Sequence, residues 1–275
     1  MSEWLWDAIV PNVASSMIVA AFLYLWYRGI TVRRSARVWG IAGPKPFVGV
    51  PSRPPTIVVS TSAISAGRPM TGIGQVRAIA LIMPSIGRAY RSYVEDNNLR
   101  MSLGCDMTED RFGGDLITIG GPKTNEVTAF LLDRIGLPEG FGIASVTNPE
   151  TGKTVDRIHW KGSDARSQVK GAPAGRKVAL GLVVRCENPI RRRGVLTVLA
   201  GAAASGSGTY GTEAAASAVV RDRALRVSRR AALSGRRVGT VALVRAEIAS
   251  RGDISRLLDA TVEDVKTFEW AGSPW

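Results

Sequence analysis

The sequence predicts an α/β protein held at a membrane by one N-terminal helix. Three observations carry that expectation: an uncharged stretch from Ala8 to Tyr27, a basic run directly after it, and, from Thr56 on, short β-branched runs separated by segments of helical period. At helical rise, twenty residues reach about 30 Å, the depth of a bilayer's hydrocarbon core. Glu3 and Asp7 precede the stretch, and Arg28, Arg33, Arg34, Arg37, Lys45 and Arg53 follow it without an intervening acid. The positive-inside rule then places the N-terminus outside and the rest of the chain in the cytoplasm, a single pass through the inner (cytoplasmic) membrane. Trp4 and Trp6 at one end and Tyr24, Trp26 and Tyr27 at the other suit the two interfacial belts. A cleaved secretory signal wants the opposite charge order. A buried core helix remains as the other reading, because the run is only just long enough to span.

Asn12, Ser15, Ser16 and Ala20 recur near i, i+4 and share one helical face. Small and polar residues on one face either lie at headgroup depth or pack helix on helix. The organisation expected is therefore a transmembrane helix over residues 1–28, a basic proline- and glycine-rich linker over 29–55, and a folded domain over 56–275.

Within that domain, TIVVSTSA from Thr56 reads as a buried strand ending in small hydroxyl residues. The segment from Ile73 to Val94 has apolar residues at three and four, as in an amphipathic helix, with Pro84 able to kink it. LRMSLGC from Leu99 and DLITIGG from Asp115 are further strands, and PKTNEVTAFLLDRI is a helix stopped by Gly136. TVDRIHWKG reads as an edge strand. KVALGLVVRC and VLTVLAG are consecutive strands joined by ENPIRRRG, which suggests a hairpin. A small-residue loop then enters a helix, GTVALVRAEIAS is a late strand, and RLLDATVEDVKTFEW is open between strand and helix. Alternating strands and helices point to a Rossmann-like, three-layer α/β domain whose sheet is largely parallel, with a local antiparallel hairpin.

The net charge of +13 includes an arginine concentration between Arg185 and Arg237. Guanidinium forks suit phosphate recognition, and a solvated basic face is the plain alternative. One histidine, and two cysteines outside any ligand spacing, remove most zinc sites and disfavour a Ser-His-Asp triad. No cofactor or metal is called for.

Three loops are candidate ligand sites. Gly120, Gly121, Lys123, Thr124 and Asn125 lie between a strand and a helix, where close backbone approach and an open helix N-terminus favour phosphate or carboxylate. The plain reading is a tight turn with Thr124 or Asn125 as N-cap. Gly206, Gly208, Thr209, Gly211 and Thr212 form a second glycine-hydroxyl loop able to wrap a phosphate. Ser60, Thr61 and Ser62 end the first strand, and Arg185 with Asn188 could orient a ligand. One sheet would bring the strand-end loops to the same edge. Asp106, Glu109, Asp110 and Asp115 cluster in sequence, but no nucleophile has a base nearby.

The segments IVVSTSA and ITIGGPKTNEVT resemble the CARF and SLOG sensor domains of membrane effectors in prokaryotic nucleotide-signalled antiviral defence. Pro122 stands where such sensors often carry threonine, and the GSGTYGT loop has no counterpart. The resemblance implies a nucleotide or oligonucleotide ligand, self-assembly into a homo-oligomer (dimer or tetramer), contact with membrane lipid, and a nucleotide-synthesising enzyme encoded nearby. The function expected is a sensor-effector that gates or disrupts the membrane on ligand binding. A membrane-tethered nucleotide hydrolase or transferase is one alternative, and a scaffold for nucleic acid or anionic lipid is another.

Overall fold

The computed structural model describes residues 3–39, 55–61, 63–65, 68–90, 100–104, 107, 112, 114–147, 152, 154–169, 175–190, 194–202, 209–222, 225, 238–251 and 254–269. The first element, α1 (Glu3–Val38), does not stop at the basic run but continues through it for ten residues. Among the described residues, no helix is long and apolar enough to cross a membrane. The transmembrane helix, the single-pass topology and the inner-membrane location are therefore corrected. The physical reason lies in the helix itself. Arg28, Arg33, Arg34 and Arg37 continue the same helix, and Asn12, Ser15 and Ser16 interrupt its apolar run. Ser15, Ser16 and Ala20 are exposed, and so are Met17, Phe22 and Trp26. The far end of α1 is anchored in the domain, where Ser35, Val38 and Trp39 are buried and Trp39 Nε1 donates to Ser85 Oγ at 3.0 Å.

The domain is mixed α/β. Its strands are β1 (Thr56–Val59), β2 (Ala63–Ser65), β3 (Arg68–Met70), β4 (Arg100–Leu103), β5 (Leu116–Ile119), β6 (Gly142–Thr147), β7 (Thr154–Trp160), β8 (Ser163–Asp164), β9 (Arg176–Glu187), β10 (Val195–Ala202), β11 (Val238–Arg251) and β12 (Ile254–Glu269). Its helices are α2 (Ile73–Ala89), α3 (Glu126–Ile135), α4 (Ala165–Gln168) and α5 (Thr209–Arg221). Seven strands form one sheet in the order β12-β11-β9-β10-β5-β1-β4. The run β10-β5-β1-β4 is parallel, while β9 to β12 pair antiparallel through long registers. The expected local hairpin is thus the start of an antiparallel half-sheet, which β11 and β12 extend. The last segment, open in sequence between helix and strand, is a strand. Its β-branched residues pair with β11 across two register shifts.

Two cores sit on opposite faces of the sheet. On one, Ile57, Ile119, Val183 and Leu199 meet α2, α5 and the end of α1. On the other, Val58, Leu116, Leu182 and Val198 meet α3 and, through Ile158 and Trp160, the small β6-β7-β8 sheet. Period-two alternation along each strand sorts the residues between the faces. Pro84 lies exposed inside α2 and does not divide it. Gly136, at φ +59, ends α3 in the left-handed conformation that glycine adopts without steric cost. Helix α5 lies very close to the sheet. A Cβ on Gly211 would stand 2.0 Å from the Leu180 carbonyl, and one on Gly181 would stand 2.4 Å from the Gly211 carbonyl.

Candidate functional site

Chain order makes one crevice special. From β1 the chain passes through α2 to β4 on one side, then returns to place β5 on the other side of β1. Helix α2 packs on one face and α3 on the other, so their N-termini flank the ends of β1 and β5. In open α/β sheets such a point of reversal is where ligands bind.

The β1 end is tied to the β5 loop by backbone bonds. Ser60 N donates to Ile119 O at 3.0 Å and Thr61 N to Thr124 O at 3.0 Å. Gly120 holds φ +115 and donates its N–H to Leu199 O at 2.9 Å. A Cβ there would stand 2.6 Å from Ser60 Cβ and 2.7 Å from Ser60 Oγ, so only glycine fits. Ser60 is fully buried, and its hydroxyl has no hydrogen-bond partner among the described residues. An unpartnered buried hydroxyl costs free energy unless something outside the fold satisfies it.

Asn125 is committed to structure. Its Oδ1 accepts from Thr128 N at 3.2 Å as the α3 N-cap, while Nδ2 donates to Ile119 O at 3.2 Å and Val58 O at 3.4 Å. It clamps β1, β5 and α3 together and has no donor left for an anionic ligand. Thr124 closes the turn by donating its N–H to Gly121 O at 3.1 Å. Lys123 leans out of the crevice, with Nζ donating to the Thr154 carbonyl of β7.

Asp156 of β7 completes this end. Its Oδ1 accepts from Lys123 N at 3.2 Å and from Ser145 Oγ at 2.8 Å. A Cβ on Gly121 would meet its Oδ2 at 2.1 Å. Burial pushes the carboxyl above its ordinary range, against the pull of Ser145 and Lys123. The sequence reading passed over Asp156, although the signal was present. It lies two and four residues before Ile158 and Trp160, both buried, so strand alternation turns an acid inward.

The other candidates separate. Ser62, Gly206 and Gly208 lie outside the described residues, as do Asp106, Glu109 and Asp110. Thr209, Gly211 and Thr212 belong to α5 rather than to a loop. The bareness of Gly211 serves helix-on-sheet packing, and Thr212 is buried. Thr209 carries the N-terminus of α5 against α2, where a Cβ on Gly74 would meet Thr209 O at 2.2 Å. Also missed in the sequence were Thr71 and Gln75 at the start of α2. Thr71 Oγ1 and Gln75 Oε1 are buried without partners, and no acid stands in that helix's first turn.

Arg185 and Asn188 stand away from the crevice. Arg185 is level with Ile57, Ile117 and Thr197, towards the strands' N-terminal ends. It is fully buried. Nη1 donates to Leu225 O at 2.6 Å, and Nε and Nη2 have no partner among the described residues. Asn188 holds a turn by donating to the Phe112 and Gly114 carbonyls, both at 2.8 Å, and accepting from Ile190 N. Asp115 accepts from Tyr90 Oη at 2.7 Å and Val195 N at 2.8 Å.

Burial raises the Asp115 pKa above its usual value, against those two hydrogen bonds. An acid whose pKa rises on folding favours the fold while protonated, and that contribution fades as pH climbs through the raised value. Wild type should therefore lose stability relative to Asp115→Asn as pH rises from about 3 towards neutrality. Thermal midpoints of the two proteins, measured side by side, give the result. A constant difference refutes it.

No protein-family model matches the chain, and no curated protein matches it significantly.

Proposed function

We propose that the chain is a sensor that binds a phosphate-bearing ligand, a nucleotide or short oligonucleotide, in the crevice between β1 and β5. The observation carrying this reading is the Ser60 hydroxyl, buried and unpartnered against the positive-φ Gly120 at the point of strand reversal. The N-termini of α2 and α3 add unpaired N–H groups and the positive ends of two helix dipoles. A ligand oxyanion would supply the acceptor that Ser60 lacks. The likeness to nucleotide-signalled defence sensors supports the same ligand class, and self-association of the ligand-bound chain is the output proposed. A membrane-breaching output is not retained, because it needs the span corrected above. The hydrolase alternative is not favoured, since Asp115 and Asn125, the polar side chains flanking β5, are held in structural hydrogen bonds. Arg185 is interior, so it adds nothing to a basic surface for nucleic acid or lipid.

Binding of a nucleotide panel to the full chain, measured by calorimetry, tests the proposal. Ser60→Ala should weaken the best ligand roughly 10- to 100-fold, the loss of one charge-assisted hydrogen bond of about 1.5–3 kcal/mol. It should leave the unfolding midpoint unchanged or slightly higher, because the hydroxyl has no partner within the fold. Equal affinity in the variant would remove the site from the crevice.

A further inference from the structure

The Gly120–Gly121 turn already holds an anion, and that anion belongs to the protein. Asp156 Oδ1 takes the Lys123 N–H and the Ser145 hydroxyl, and Oδ2 fills the space that the bare Gly121 leaves. These are the contacts a ligand oxyanion would make at the turn before α3. The ammonium that would reinforce such a ligand is drawn aside onto the Thr154 carbonyl of the same hairpin. The hairpin is lightly held here. None of β6 is buried, and along β7 only Ile158 and Trp160, at its far end, are. Ser145, Asp156 and Thr154 fasten its near end through polar contacts.

We propose that the β6–β7 hairpin is a latch, with Asp156 as an internal occupant of the anion site that an incoming phosphate group displaces. The latch rests on the phosphate-site reading above and sharpens it. A tethered carboxylate competes at an effective concentration on the order of millimolar. A free monocarboxylate has no advantage over it. A terminal phosphate does, since it brings about −1.5 to −2 of charge and three acceptor oxygens, enough to satisfy the Lys123 N–H, the Lys123 ammonium and Ser60 together. The site thus selects phosphate over carboxylate, and its apparent affinity is reduced by the fraction of molecules with the latch shut.

The test uses the full chain, inorganic pyrophosphate as probe, and hydrogen exchange of residues 142–147 and 154–158. Asp156→Ala should bind pyrophosphate 10- to 100-fold more tightly than wild type, as expected for a latch shut about 90–99% of the time. The hairpin amides should exchange faster in that variant without ligand, and in wild type once pyrophosphate is added. Acetate should not compete in wild type, where the tethered carboxylate already occupies the site. If Asp156→Ala fails to fold, Asp156→Asn carries the same comparison, because it keeps the volume and removes the charge. Unchanged affinity, or hairpin protection equal to wild type in the ligand-free variant, overturns the latch; the site survives that result provided Ser60→Ala still weakens binding. Failure of pyrophosphate to bind either protein overturns both.

Discussion

Trp160→Ala is expected to cost about 4 kcal/mol of unfolding free energy, a large part of what a domain of this kind has to lose. Trp160 is among the largest fully buried side chains. Its ring meets Phe141 edge-on at 4.9 Å, and Nε1 donates to Asp264 Oδ2 at 3.1 Å. Alanine would leave a cavity between α3, the small sheet and the main sheet that rigid strands can only partly fill. It would also remove one donor from Asp264, whose pKa is held down chiefly by Lys161 and secondarily by Trp160, and which keeps its Lys161 and Val265 N–H contacts. Because Trp160 is the fixed end of the β6–β7 hairpin, the loss should be accompanied by faster exchange of that hairpin's amides. Denaturant unfolding followed by circular dichroism measures the first effect. A cost below about 1 kcal/mol would mean that the small sheet contributes little to the cooperative fold.

Much of the domain was legible because its signals are local. Four β-branched residues from Thr56 and a glycine turn after Ile119 mark strands wherever they are placed. The Asn125 cap and the Gly136 stop are written in single residues with defined backbone roles. The hydroxyl and glycine loops that end β1 and β5 were also brought together as the sheet pattern implied. What failed depended on distance. Whether Ala8 to Tyr27 spans lipid is not settled by its own hydropathy. The helix runs on through four arginines, and its end docks on α2 through Trp39, a partner 46 residues further along the chain. Arg185 reads as a ligand group in any linear scan, and only the register of β9 against β10 shows that it lies at the wrong end of the strands. Gly211 and Thr212 look like loop residues because small side chains mark both loops and tight helix-on-sheet packing. Asp156 was overlooked because its partner, the Gly121 turn, lies more than thirty residues earlier.

Arg185→Met should raise stability by about 2 kcal/mol, against the usual direction of core substitutions. The guanidinium makes one hydrogen bond, to Leu225 O, and leaves Nε and Nη2 unpaired inside the sheet's α2 face. Burial draws its pKa down to about 10, with the nearby Tyr90 opposing. Holding the charge there costs on the order of 3 kcal/mol, the free energy of that displacement. Methionine keeps the length of the stem, fills an irregular space and carries no charge. Against this stands the Leu225 carbonyl, left without its donor at a cost of about 1 kcal/mol. The balance favours the variant, and its midpoint should rise by roughly 4–8 °C. The pH dependence follows with a definite sign. A base whose pKa falls on folding penalises the fold while charged, so wild type recovers as pH rises above about 10. The advantage of methionine should therefore shrink in that window and hold at full size near neutrality. A variant less stable than wild type would mean that Nε and Nη2 have acceptors within the folded protein, and Arg185 would then be a structural clamp like Asn125 rather than a buried charge carried at a cost.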